Sequence, residues 1–366
     1  MRIIQILPSL SPGDAVGNDT RAIRDILREA GYNTDIYADW VDPRIPESEG
    51  RHIRFMPELT EEDLLIYHAS TGSRLNFEIP SFGGRKIMIY HNITPPHFFR
   101  WYNYEARKNM AYGYEGIEYL ADRMQYCIAD SEFNRRELIR MGYTCPIDVC
   151  PILIPFRDYD REPDPETIRR YQEDGKKNWL FVGRVSPNKK QEDLIHAFYC
   201  YQRDYQPESR LFLIGNTAGM ERYEQRLRGY IRDLGITEKV VFPGHIPFSG
   251  ILACYRLADV FVCLSEHEGF CVPLAEAMYF GVPIAAYDCC AVPDTLGKGG
   301  LLLKSKEPET VAAAVNRILT DEPLRRTIRT GQQEMLRSYS YETVKGQIMD
   351  CLRPYLEESF TEKGKV

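Results

Sequence analysis

The chain has 366 residues, a net charge of −7 and 27% charged residues spread along its length. That length favours two domains, and a slightly acidic balance with no basic stripe argues against a nucleic-acid binder. The ten cysteines form no Cys-x-x-Cys pair and no His spacing suited to zinc. Cys289-Cys290 and the Cys145/Cys150 pair read as small buried residues in a reducing cytoplasm. Met1-Arg2 leads straight into a strand pattern, so no signal peptide is expected, and no apolar run approaches the length of a membrane span.

Arg2-Ile-Ile-Gln-Ile-Leu7 reads as the first strand of a parallel sheet. Residues 8–18 follow as a loop with Gly13, Asp14 and Gly17. An amphipathic helix is expected from about Asp19 to Ala30, with Ile23, Ile26 and Leu27 on one face and Gly31 closing it. A strand, a glycine loop and a helix can present backbone N–H groups to a phosphate, or can be a plain turn. The loop is not Gly-x-Gly-x-x-Gly, so a dinucleotide site is weakly supported. Strands recur at 34–38, 64–68, 86–91 and 125–130 with helical patterns between several of them, which is a doubly wound α/β domain. His91 falls just past a buried strand beside a Pro-rich loop. It is either a hydrogen-bonded structural residue or a ligand contact at a strand end. Ser131 reads as a helix N-cap. Residues 101–119, rich in Tyr and carrying Arg100, Arg107 and Lys108 on or beside them, read as a covering helix with a solvated basic face, rather than a surface for acceptor or membrane.

Pro, Asp and Arg cluster at 151–165 without periodicity, which marks a domain boundary. The second domain opens on the strand Asn178-Trp-Leu-Phe-Val182. Gly183-Arg-Val-Ser-Pro-Asn-Lys189-Lys190 follows, and then a helix from Glu192. This loop is a solvated basic turn, or a pair of cations placed to stabilise charge on a departing diphosphate. Further strands are expected at 210–214, 240–242, 259–264, 283–286 and 300–303. The 259–264 strand leads into Ser265-Glu-His-Glu-Gly-Phe-Cys-Val-Pro-Leu-Ala-Glu-Ala-Met278. Pro273 suits a first helical turn, so Glu268 and Glu276 bracket a helix N-terminus at the C-terminal end of a strand. The N–H groups of Phe270, Cys271 and Val272 would face an anion there. Alternatively, the two acids are simply first-turn residues favoured by the helix dipole. In the tail, Val344, Ile348, Leu352 and Leu356 form one apolar stripe of a helix that must bury one face. Residues after about Ser359 are expected to fray.

The 265–278 string resembles the Glu-x7-Glu signature of retaining glycosyltransferases of the GT-B fold, family 4, with Cys271 where that family usually has Gly. Gly183, Arg184 and Lys189 match the family's Gly-Arg…Lys segment, in which Lys190 replaces a usual Gly. The resemblance covers nearly the whole chain, strongly over 178–303 and more thinly over 1–150. It implies two Rossmann-like doubly wound α/β domains facing a cleft, at 1–155 and 156–340, with a C-terminal helix at 341–366 crossing back to the first. It further implies a nucleotide-diphosphate sugar held mainly by the second domain, no metal and no cofactor. Arg184, Lys189 and the helix N-terminus at Gly269, Phe270, Cys271 and Val272 would stabilise the diphosphate. Glu268 would orient the sugar, Glu276 would bind ribose hydroxyls, and Gly244 and Ile246, with His245, would line the base site. His91 would reach a sugar hydroxyl, and the loop at Gly13 and Asp14 would line the cleft near the phosphates. Asp294 stands where the family has Glu.

The implied activity is transfer of a hexose from a GDP- or UDP-linked donor, with retention, to a glycan or lipid-linked saccharide in cell-surface polysaccharide biosynthesis. No side chain stands out as a general base, which fits a front-side mechanism in which the leaving phosphate takes the acceptor proton. A cytoplasmic enzyme is expected, at the inner face of the plasma membrane if it docks there, and peripheral membrane association stays open. A small-molecule acceptor is the runner-up. A non-catalytic nucleotide-sugar-binding subunit and a phosphorylase or epimerase of the same architecture are the other readings. A phosphorylase would need a cofactor lysine, which is not found.

Overall fold

The structure, a computed structural model, describes residues 1–172 and 174–361. Its contacts divide the chain into two compact units. The first comprises Met1–Pro96, Arg107–Pro155 and the chain from Tyr339 on; the second comprises His97–Ala106 and Phe156–Ser338.

The first unit holds a seven-stranded sheet of order β3-β2-β1-β4-β5-β6-β7. Its strands are β1 (Ile3–Leu10), β2 (Thr34–Val41), β3 (Arg51–His52), β4 (Leu64–Ala69), β5 (Arg85–Tyr90), β6 (Tyr126–Ala129) and β7 (Ile147–Val149). All neighbours pair in parallel. Strands such as Leu64–Ala69 are buried along their whole length, because helices cover both faces of a parallel sheet. The order reverses between β1 and β4, which is where open α/β sheets leave a crevice at the strands' carboxyl ends.

The first βα connection is shorter than the expected 8–18 loop. Strand β1 runs to Leu10, and the helix begins at Ala15 rather than near Asp19. The Asp14 carboxylate accepts from the Gly17 N–H at 2.9 Å, and an N-cap acid starts a helix at the next residue. Gly17 therefore lies inside the helix, where a Cβ would meet Leu10 Cδ1 at 3.1 Å.

The last helix, Tyr341–Thr361, reaches past the expected fraying point near Ser359; residues 362–366 lie outside the described residues. Its stripe is buried, with Val344 at 0%, Ile348 at 3%, Leu352 at 0% and Leu356 at 1% exposure. The stripe packs in one core with Ile23, Ile26 and Leu27 of the first helix and with Ile3, Leu64, Ile87 and Ile128 of the sheet. Helix and sheet thus close over the same apolar layer of the first unit. Leu352→Ala is expected to destabilise this unit by about 2–5 kcal/mol, the usual cost of a large-to-small change at a fully buried site. Urea unfolding read at equilibrium checks it.

The second unit holds a six-stranded sheet of order β10-β9-β8-β11-β12-β13. Its strands are β8 (Lys177–Val182), β9 (Ser209–Ile214), β10 (Val240–Gly244), β11 (Val260–Cys263), β12 (Ile284–Tyr287) and β13 (Leu301–Leu303). All neighbours again pair in parallel. Numbered within the unit, this is the 3-2-1-4-5-6 order of nucleotide-binding sheets, with its switch point between β8 and β11. Residues 97–106, expected in part as the start of a covering helix, pack here. Asn103 Nδ2 donates to the Gly219 carbonyl at 2.6 Å, and Tyr102 meets Tyr223 edge-on at 5.0 Å. The helix itself starts at Tyr104.

Candidate functional site

The carboxyl ends of β8 and β11 flank the switch point of the second unit, and the two loops that leave them carry Arg184, Lys189 and Glu268. Hydrogen bonds stitch these loops together. Ser186 Oγ donates to Asn188 Oδ1 at 2.7 Å, Asn188 Nδ2 donates to the His267 carbonyl at 3.1 Å, and Glu266 N donates to the Asn188 carbonyl at 2.8 Å. Lys189 Nζ then meets Glu268 Oε2 at 2.6 Å. Their side chains are 21% and 7% exposed, respectively. Burial works against the charge on Lys189, but the Glu268 carboxylate outweighs it and the pKa rises. The lysine is therefore held as a cation. Arg184 is exposed, its guanidinium donating to the Ala218 carbonyl at 3.3 Å. Close approach of strand ends shapes this corner: a Cβ on Gly215 would stand 1.8 Å from the Gly183 carbonyl oxygen.

The helix Val272–Tyr279 opens beside this pair, with Pro273 in its first turn and no side chain capping it. Residues there have N–H groups without intrahelical acceptors. Cys271 stands at the N-cap with φ +73°, the left-handed region that glycine enters at little cost and other residues avoid. The glycine of the resembled motif is thus explained by a torsion rather than by side-chain size. Lys190, the other departure from a motif glycine, has φ +52° and pairs with Glu266 at 3.2 Å. Cys271 is 7% exposed and belongs to the core under the helix. Cys271→Gly should be nearly neutral, since relief of about 1–2 kcal/mol of torsional cost offsets the lost burial. Cys271→Val should cost about 2 kcal/mol or more, because a β-branched residue tolerates this conformation worst. Thermal denaturation of the two variants checks the difference in size.

Glu276 lies one turn into the helix and is partly exposed. Its Oε1 accepts from the Tyr159 hydroxyl at 2.7 Å and its Oε2 from the Tyr255 hydroxyl at 2.6 Å. Burial raises its pKa, and the two hydroxyls oppose the shift. An ionised carboxylate has about four acceptor positions, so two remain for further hydroxyls. Gly244 ends β10, and its carbonyl accepts from Gly215 N at 3.2 Å. Ile246 packs against the core while His245 is exposed. Asp294 is exposed in the first turn of the helix Val292–Leu296, and the neighbouring Thr295 hydroxyl donates to the Phe270 carbonyl.

In the first unit, Gly13 is exposed with φ +75°. The Asp14 carboxylate caps the helix rather than standing free, and burial raises its pKa. His91 sits past β5 with its side chain 2% exposed. Its Nδ1 bonds Asp130 Oδ2 at 2.9 Å and its Nε2 faces His68 Nδ1 at 3.0 Å. His68 Nε2 in turn bonds Gln5 Oε1 at 3.0 Å. In this amide orientation His68 donates from Nε2 and accepts at Nδ1, which puts both His91 nitrogens in donor positions. Burial would lower its pKa, but the carboxylates of Asp130, Asp19 and Asp14 outweigh it and the pKa rises. Burial, with His91 adding, pushes His68 well below its usual value. It also pushes Asp19, 3% exposed, up to about 7. The donor-atom cluster Asp19, His68 and His91 has the composition of a metal site. The two rings are nearly coplanar, 7° apart with centroids at 5.3 Å. Their nitrogens therefore face each other along one hydrogen-bond line and do not converge on a common third point. Both nitrogens of His91 are thus engaged within the first unit, and contact with a sugar hydroxyl would require Nε2 to give up His68.

Sequence reading missed His68, Gln5, Asp130, Asn188, Tyr159 and Tyr255. Asn188 alone carried a signal, as an Asx residue inside the basic loop. Gln5, His68, Tyr159 and Tyr255 lie in strands or helices and Asp130 just past β6, and only folding brings them to their partners.

Residues 164–335 match the family model described as Glycosyl transferases group 1. The O-antigen chain mannosyltransferase B of Escherichia coli is 23% identical over 294 residues, 79% of this chain and 74% of that one. The D-inositol 3-phosphate glycosyltransferase of Corynebacterium efficiens is 30% identical over 173 residues, 46% of this chain. The alignment spans only 40% of that relative's own length. Among solved structures, Anabaena HepE in complex with UDP-glucose superposes with a TM-score of 0.74 at 18% identity, covering 97% of this chain and 100% of that one. The family match thus falls within the second unit, and the superposition supports the GT-B fold for the chain.

Proposed function

We propose that this protein is a retaining glycosyltransferase of family 4 that moves a hexose from a GDP- or UDP-linked donor to a glycan or lipid-linked saccharide acceptor. The observation that carries the reading is the Lys189–Glu268 pair at the switch point of the second unit, 2.6 Å apart and bracketed by Arg184 and an uncapped helix N-terminus. Lys189 and Arg184 neutralise the charge that grows on the leaving diphosphate, a task that needs no metal or cofactor when cations are already fixed there. Gly183 and residues 269–272 give that diphosphate a close backbone approach. Glu268 keeps one carboxylate oxygen for donor hydroxyls, and Glu276 keeps acceptor capacity for ribose. Gly244 and Ile246 are assigned to the base. In the first unit His91 and the Gly13–Asp14 turn follow the carboxyl ends of β5 and β1, the edge where open α/β sheets take ligands. The acceptor proton leaves with the phosphate on the front face. Cell-surface polysaccharide assembly at the cytoplasmic face is the setting we favour, in keeping with the O-antigen relative.

The test is a thermal-shift panel against UDP, GDP, ADP, CDP and dTDP. One diphosphate is expected to raise the melting point by mass action, by adding about 2.7 kcal/mol of stability at a hundred times its Kd. No shift with any of them would overturn the donor assignment and favour a non-catalytic protein. A small-molecule acceptor is the second reading, favoured by the inositol-phosphate relative. Product analysis with inositol phosphates against lipid-linked saccharides separates the two.

A further inference from the structure

The turn after β12 carries two adjacent cysteines that the donor site does not use. Cys289 and Cys290 were expected to be buried, but both are partly exposed. Their sulfurs lie 3.3 Å apart. Both sulfurs stand near the Glu266 carbonyl oxygen, Cys289 Sγ at 2.9 Å and Cys290 Sγ at 3.5 Å, and Cys290 Sγ lies 3.7 Å from His267 Nδ1. Cys290 has φ +54°, so its sulfur is presented from a conformation that non-glycine residues seldom hold. The hydrogen bond from Cys289, and then His267, hold the Cys290 thiol down at about 5 against burial. Cys289, as the donor, is pushed up. Cys145 and Cys351, also partly exposed, have other surroundings. Cys145 faces the Cys127 sulfur at 3.7 Å, a contact that lowers its pKa as well, whereas burial raises Cys351.

We propose that Cys290 is a redox-reactive thiolate and Cys289 its resolving thiol, so that a hydroperoxide converts the pair to a vicinal disulfide. The Cys290 sulfur attacks one oxygen of hydrogen peroxide, and the O–O bond breaks. Hydroxide leaves and takes a proton from solvent, which leaves a sulfenic acid. The Cys289 sulfur then attacks the Cys290 sulfur. The S–S bond forms, the S–O bond breaks, and the departing hydroxide leaves as water with the Cys289 proton. In sum, two thiols and one peroxide give one disulfide and two waters. Neighbouring Cα atoms are held about 3.8 Å apart by a trans peptide, below the roughly 4.4–6.8 Å of ordinary disulfides. The bond is therefore strained and easily reduced, as reversible disulfides are. The same turn is tied to Glu268, whose carbonyl accepts from Ala291 N at 3.3 Å. An effect of oxidation on transfer would rest on the role proposed for Glu268; the thiol chemistry stands apart from it.

The experiment uses the full chain and needs no nucleotide. Iodoacetamide at pH 6, followed by peptide mapping, is expected to alkylate Cys290 at least about tenfold faster than Cys351, because the thiolate is the reactive form. Equimolar hydrogen peroxide should remove two hydrogens from the peptide spanning both cysteines, and dithiothreitol should restore them. In Cys289→Ser the sulfenic acid should persist on Cys290 and be trapped by dimedone. In Cys290→Ser, Cys289 should stay unmodified. Equal alkylation rates in the unaltered protein, or equal dimedone trapping in the two variants, would overturn the assignment.

Discussion

Lys189→Met is expected to lower donor turnover about 10²–10³-fold and to destabilise the second unit by about 2–4 kcal/mol. Both effects arise from the contact at 2.6 Å between Lys189 and Glu268. Removing one partner of a buried ion pair leaves the other charge without compensation, and Glu268 is only 7% exposed. The estimate sits at the lower part of the range for buried pairs because Lys189 keeps 21% of its side chain in solvent. A structural and a catalytic lysine make the same prediction for stability, so a second variant separates them. Glu268→Gln removes the orphaned charge, and the Lys189→Met/Glu268→Gln double variant should regain most of the lost stability. Turnover should stay low in the double variant, because the cation facing the leaving diphosphate is still absent. Recovery of turnover together with stability would mean that the pair serves only the fold. Nucleoside diphosphate release and urea unfolding, measured on the same preparations, give both numbers.

Glu276→Gln is expected to weaken ribonucleotide binding by about 10–100-fold, the worth of a hydrogen bond or two to a charged acceptor. The variant keeps a side chain for Tyr159 and Tyr255 to bond, so it perturbs packing less than alanine would. The specific signature is loss of discrimination. The unaltered protein should prefer a ribonucleotide over its 2′,3′-dideoxy counterpart, and Glu276→Gln should bind the two alike. Retained discrimination would remove the ribose assignment. Because burial raises the Glu276 pKa, ribonucleotide affinity should fall as pH drops through that raised value, and the variant should lack this dependence. Stability of the empty protein has the opposite sign. The folded state holds the Glu276 proton more tightly than the unfolded chain, so the carboxylate costs stability above its unfolded pKa. Glu276→Gln should therefore stabilise the empty protein at pH 8 and not at pH 4.

The strands of the second unit and five of the first unit's seven were legible from apolar runs, and some helices from their stripes, because burial on two faces or on one leaves a pattern in the residues themselves; β3 and β7 are too short and too exposed to leave one. The run 210–214 appears as β9 at Ser209–Ile214, and the stripe Val344, Ile348, Leu352 and Leu356 is buried as its spacing requires. The loop at 8–18 was misjudged because Asp14 was weighed as a site residue and not as a helix cap. At Cys271 and Lys190 the resembled motif flagged the positions, but the physical reason is a left-handed torsion that no list of side-chain sizes shows.

Periodicity and the alternation of strands with helices were enough to indicate the two sheets and their parallel character. These are local properties, set by which side chains a helix or strand must bury and by where a chain must turn. Partners are not local. Lys189 and Glu268 are 79 positions apart, and Glu276 draws its hydroxyls from 117 and 21 positions away. His91 finds one partner in Asp130, 39 positions on, and the other in His68, 23 positions back. Folding alone decided those pairings, because charge state and hydrogen-bond direction depend on which groups share a buried space, and that space is made by the sheet order rather than by neighbours in the chain.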